Sequence, residues 1–234
     1  MEKQKIMMRF ISLLCVFAIL ISCKTETNER KPISVTSVET TQKLTVAEKI
    51  ANAHGFENWK EINQIKFRFN VNRNGNISGR YWTWHPKTDD VTLISNDKTT
   101  SYNRKSMDSI SLKADRGFIN DKFWLLIPFQ LVWDAGTTIS KPSSAEAPIS
   151  KDKLNKITLT YGNEGGYTPG DAYDIYYNET YIIKEWVFRQ GNADEPSMTT
   201  TFENYEDFNG IKIAKDHKMA EGDFNLFFSD ISVN

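Results

Sequence analysis

The chain has 234 residues and near-balanced charge, with 29 basic against 30 acidic side chains and a net charge of −1 at pH 7. No basic stripe marks a nucleic-acid surface, and the balance provides little electrostatic steering toward charged partners. With only two cysteines, at positions 15 and 23, a disulfide framework is excluded and the fold must be held by its core.

The chain opens with Lys3, Lys5 and Arg9, followed by an apolar run over residues 10–21. A charged stretch before a short apolar one is the layout of a secretory signal peptide. The run ends in Leu20-Ile21-Ser22-Cys23, which matches the lipobox of bacterial lipoproteins. The expectation is a leader over 1–22 whose removal leaves Cys23 lipidated at the new N-terminus. Each buried acyl methylene contributes about 0.8 kcal/mol, so two or more chains anchor stably to a membrane. Lys24, directly after Cys23, favours the outer membrane. Residues 23–42 are polar and rich in Thr and Ser, a composition that reads as a flexible tether. Residues 43–234 remain, enough for a single domain with a sizeable core.

Thr45-Val-Ala-Glu48 reads as a capping box that opens a short helix ending near Gly55. Residues 65–71 alternate apolar and polar side chains, as a half-buried strand does. Asn74-Gly75 then predicts a two-residue hairpin turn, with a returning strand over 78–85. Residues 90–95 and 99–104 predict a second hairpin around Asn96-Asp97.

Residues 118–136 are the most apolar stretch after the leader. Between Phe123 and Trp133 only Pro128 and Gln130 interrupt large apolar side chains. Asn120 and Asp121 precede the run, where a helix start is favoured by a capping oxygen and negative charge. Pro128 predicts a kink, or a second helical turn with proline in its first position. The run is too short to span a bilayer, which needs about 20 residues. It is apolar on all sides, so it must be covered on more than one face. Residues 135–150 read as a long loop and a candidate lid hinge. A meander follows, with strands predicted over 156–161, 173–177, 181–189, 198–208, 211–219 and 223–231. Short strands at regular spacing with tight turns suggest one large curved antiparallel sheet.

Two stretches carry a family resemblance. Residues 181–189 (YIIKEWVFR) lead to a segment with Tyr205, Phe208 and Gly210 before Ile211-Lys-Ile213. They are similar to the closing strands of the lipoprotein carrier and receptor proteins of bacterial envelopes. Residues 118–136 resemble a segment of flavobacterial lipoproteins of this type. The resemblance implies an α+β, mostly β fold: a curved antiparallel half-barrel with a helical lid or plug over a cavity for acyl chains.

No GxSxG, Walker A, GxGxxG, HExxH or CxxC motif occurs, and His54, His85 and His217 fall in separate predicted elements. Neither a metal site nor a cofactor is expected. The Asn70–Asn72–Asn74 spacing lacks the carboxylates of a calcium loop. Asp171, Asp174, Glu179 and Glu185 could supply an acid–base pair, although charges on exposed strand faces are the commoner arrangement. Phe67 and Phe69, Trp82 and Trp84, and Trp186 and Phe188 are spaced two apart, so each pair shares a sheet face. Together with Phe123, Trp124, Ile127 and Trp133 they are the candidate lining of an apolar cavity. As solid core they would instead pack under the helix, and periodicity does not separate the two. The sequence thus points to a non-enzymatic, membrane-anchored envelope protein that takes a lipid or lipoprotein acyl chain. The alternative is an interaction lipoprotein with a filled core.

Overall fold

Thr45 caps the first helix, α1 (Val46–Ala53): its hydroxyl accepts from the Glu48 amide while the Glu48 carboxylate accepts from the Thr45 amide. The computed structural model describes residues 43–164 and 168–234, so the leader, Cys23 and the tether lie outside the described residues. Ala47, Ile50 and Ala51 form the buried stripe of α1. Gly55 follows at φ +92°, and a Cβ there would overlap the Gly210 carbonyl oxygen. Only glycine allows that close approach. A 3₁₀ segment, Phe56–Glu61, then leads into the sheets.

The strands are β1 (Ile65–Arg73), β2 (Asn76–His85), β3 (Asp90–Ser95), β4 (Lys98–Asn103), β5 (Thr137–Ile139), β6 (Ser143–Glu146) and β7 (Lys153–Tyr161), then β8 (Ala172–Tyr177), β9 (Ile183–Arg189), β10 (Met198–Thr201), β11 (Glu203–Phe208), β12 (Ile211–Lys218) and β13 (Asn225–Val233). Both expected hairpins form. Asn74 and Gly75 have φ of 53° and 82°, and Asn96 and Asp97 of 49° and 61°, the positive values that a type I′ turn requires.

The strands do not make one curved half-barrel sheet. They form two open antiparallel sheets: seven strands in the order β11-β12-β13-β1-β2-β3-β4, and β10-β9-β8-β7-β5 with β6 beside β7. The chain changes sheet twice. The first change spans the helices between β4 and β5. The second falls within residues 198–208, the stretch expected to be one strand. Met198 to Thr201 pair with β9, Phe202 donates its amide to the Lys184 carbonyl at 2.7 Å, and Glu203 begins pairing with β12. Alternation fixes which side chains face inward but is blind to the partner strand, so the crossover left no mark on the pattern.

Helices α2 (Ser109–Leu125) and α3 (Ile127–Trp133) occupy the central apolar stretch. They break at Leu126, and Pro128 sits in the first turn of α3, as the missing proline N–H favours. Their side chains feed two buried clusters. Phe118, Leu125 and Phe129 pack with the seven-stranded sheet, whereas Phe123, Ile127 and Leu131 pack with the six-stranded one. No helix among the described residues is long and apolar enough to cross a membrane.

The helix start differs from expectation. Asp108 is the cap, accepting from the Ser111 amide at 2.8 Å, and Asn120 and Asp121 lie well inside α2. The expected loop at 135–150 is also structured. Strands β5 and β6 pair with β7, and Ala147 packs against Tyr176 and Val187. The buried Glu185 carboxylate accepts the amides of Ile149 and Ser150 at 2.7 and 2.8 Å. A segment pinned this way is no hinge.

Candidate functional site

The inner faces of the two sheets meet around α2, and at one end they leave a cavity. On β1, Phe69, Val71 and Arg73 alternate inward, and the β2 residue opposite Phe69 is Arg80. Leu226 and Phe224 come from β13 and the loop before it. The other sheet supplies Tyr173, Trp186, Phe188 and Met198, while α2 contributes Asn120, Phe123 and Trp124. The cavity holds about 400 Å³, within the ~300–1,000 Å³ range of small-molecule pockets.

Its wall is an aromatic stack. Tyr173 lies 5.1 Å from Phe188, 5.1 Å from Trp186 and 5.1 Å from Phe123. Trp124 meets Trp186 edge-on at 4.4 Å. Such pairs favour tilted or offset geometry because ring faces are negative and ring edges positive. The mouth opens into a shallower vestibule of about 350 Å³, which shares Arg73, Met198 and Phe224 with the cavity and adds Glu221 and Asp223.

Behind the wall, Asp121 is completely buried. It accepts from Arg80 Nε and Nη2 at 2.8 and 2.6 Å, from Trp82 Nε1 at 2.7 Å and from Asn120 Nδ2 at 3.0 Å. Burial pushes its carboxyl above the usual range, and the four donors, which favour the anion, oppose that shift. The Arg80 guanidinium also lies 5.3 Å from the Phe69 ring centre. One arginine is thereby held rigidly at the cavity wall.

The expected lining residues divide. Phe69, Phe123, Trp124, Trp186 and Phe188 face the cavity. The others are packed elsewhere in the core. Phe67 lies against Phe228, Trp82 and Trp84 against Phe118, and Trp133 against Trp59 at 4.7 Å. Ile127 is fully buried in the cluster of the six-stranded sheet. Sequence reasoning missed Arg73, Arg80 and Tyr173. The signal was available for the arginines, because the alternation that turns Phe67 and Phe69 inward on β1 reaches Arg73, and the one that turns Trp82 and Trp84 inward on β2 reaches Arg80.

The candidate carboxylates do not converge. Asp174 pairs with Arg189 at 3.2 Å, Asp171 accepts from the Gly191 amide, Glu179 from Asn155, and Glu185 holds the 149–150 backbone. The histidines are equally dispersed. His54 Nδ1 donates to the Ile50 carbonyl, His85 contacts Gln64, and His217 Nδ1 donates to the Thr201 carbonyl. Among the described residues no group of three or more His, Cys, Asp or Glu side chains is placed to hold a metal ion.

No protein-family model matches the chain, and no curated protein matches it. Solved structures show distant similarity. A DUF1329 family protein from Desulfovibrio piger aligns over 81% of this chain and 92% of its own at 9% identity, with a TM-score of 0.42. A putative outer membrane lipoprotein-sorting protein domain from Vibrio parahaemolyticus aligns over 80% of this chain and 93% of its own at 12% identity, with a TM-score of 0.41.

Proposed function

We propose that this chain is a lipid-anchored envelope protein, tethered through Cys23, that binds an apolar ligand between its two sheets. The cavity carries this reading. A partly open cleft of about 400 Å³ is lined by Phe69, Phe123, Trp124, Tyr173, Trp186 and Phe188, the predominantly aromatic wall that small-molecule pockets have. Burial of a ligand's apolar surface there contributes roughly 25 cal/mol per Å² removed from water. The envelope address is supported by the leader and the Leu20–Cys23 motif. A binding rather than catalytic role is supported by Asp171, Asp174, Glu179, Glu185 and the three histidines, each of which is committed to a separate structural contact.

Native mass spectrometry of the full chain, purified and stripped of detergent, tests this. The expected result is a non-covalent species of lipid mass that leaves on mild activation. A clean apo mass that takes up no added fatty acid or phospholipid would favour the solid-core interaction protein. That second reading has its own observation: Ile77, Tyr81 and Ile94 are exposed on one face of the seven-stranded sheet, with Tyr81 paired to Ile94 across β2 and β3.

A further inference from the structure

The cavity is apolar at depth and cationic at its rim. Among the described residues its two charged lining residues are Arg73 and Arg80, and no carboxylate lines it. Both arginines stand on the inner face of a sheet whose other inward positions nearby are Phe67, Phe69, Val71 and Trp82. Arg80 is part-buried behind the wall, and Arg73 is exposed at the rim.

The two differ in how they are satisfied. Arg80 spends Nε and Nη2 on Asp121, and its side chain remains 37% exposed. Arg73 stacks 5.8 Å from the Phe224 ring centre, and among the described residues no carboxylate lies within ion-pair distance of it. Arg73, exposed at the end of β1, therefore brings a charge with no ion-pair partner to the rim, where cavity and vestibule share it with Met198 and Phe224. A guanidinium in that position has the fork geometry that recognises carboxylates and phosphates.

Resting on the apolar-ligand reading above, we infer that the ligand is a single-tailed amphiphile with an anionic head. The tail lies against Phe69, Phe123, Tyr173, Trp186 and Phe188. The head, a carboxylate or a phosphate monoester, is held at the rim by Arg73, with Arg80 adding its charge from the wall. Glu221 and Asp223 line the vestibule beyond Arg73, so a second anionic group projecting outward is disfavoured.

The test is displacement of the neutral dye N-phenyl-1-naphthylamine from the detergent-stripped full chain by four twelve-carbon probes: dodecanoate, monododecyl phosphate, dodecanol and dodecyltrimethylammonium. A charge-assisted contact predicts that the two anions displace dye at concentrations about tenfold below dodecanol. The ammonium probe should be weakest, and inorganic phosphate alone should displace nothing. Arg73→Gln should erase the anion advantage while leaving the dodecanol value unchanged. Arg80→Lys, which keeps the charge beside Asp121, should retain a preference for anions. Dodecanoate against dodecyl phosphate distinguishes a fatty-acid head from a phosphate head. Equal displacement by dodecanol and the anions, or an Arg73→Gln variant that keeps the preference, would overturn the assignment of the head and leave the apolar cavity standing. No dye uptake at all would overturn both.

Discussion

His54 and His217 are buried imidazoles that fold in the neutral form. Desolvation lowers each from the ordinary 6.5 to about 4. In His217 the reason is local. Nδ1–H donates to the Thr201 carbonyl, while Nε2 is buried among Trp124, Phe202 and Phe228 without a hydrogen-bond partner. A second proton there would have no acceptor. The unfolded chain takes up these protons near pH 6.5 and the folded chain only near pH 4. Stability is therefore full above pH 6.5 and is lost as pH falls toward 4, by about 3 kcal/mol for each histidine. Urea midpoints across that range should show the decline, and His217→Phe should remove about half of it. An unchanged acid limb in that variant would disprove the assignment. A second residue-scale prediction concerns Asp121. Arg80→Ala leaves that carboxylate buried with one fewer cationic partner. Breaking a fully buried pair costs about 3–5 kcal/mol, and the partial exposure of Arg80 reduces this to about 2–3 kcal/mol in urea titrations. Asp121 also shows where local sequence reading misleads. Next to an apolar run its carboxylate suggested a helix start, whereas the structure uses it at mid-helix to hold Arg80 and Trp82.

At the scale of elements, the first half of α2 was hidden because its buried face is polar. Ser111 and Asp115 face inward, and Asp115 is made tolerable there by Tyr102 at 3.1 Å and Arg104 at 2.8 Å. A hydrophobic periodicity cannot register such a face. The hairpins, the capping box and the proline in α3 were legible because each rests on backbone chemistry that few residues permit. The aromatic pairs were legible as inward-facing, and only the packing of α2 decided which would be core and which would border a void. This division predicts opposite outcomes for two substitutions. Trp84→Ala should cost about 3–5 kcal/mol and leave dye uptake proportional to the folded fraction. Phe188→Trp adds volume at the cavity wall and should lower dye uptake while the urea midpoint stays within about 1.5 kcal/mol. If Trp84→Ala abolished binding in a fully folded protein, the boundaries of the site would be wrong.

For the whole molecule, the deciding feature is that β1 pairs with β13, Ile65 opposite Val233. The central strands of the larger sheet thus come from near the two ends of the described chain, with α2, α3 and the entire smaller sheet between them in sequence. Sequence patterns identified both strands but contained nothing to join them, and a single continuous meander was the simplest topology that fitted. Nothing local distinguishes a strand that pairs with its neighbour from one that waits for a distant partner. Ending the chain after Asp223 should remove β13 and expose one side of β1 and β12. The truncated chain should lose cooperative unfolding when followed by tryptophan fluorescence. Retention of a sharp transition would mean that the larger sheet survives without its central strand. The same pairing sets a schedule for biogenesis. Residue 73 leaves the ribosome well before residue 225, and at roughly 5–20 residues per second the gap is about 8–30 s. Throughout that interval β1 carries an open hydrogen-bonding edge and inward-facing phenylalanines with nothing to cover them. The larger sheet therefore cannot close around β1 until residues 225–233 have been made, so its folding is post-translational in its central step rather than progressive along the chain.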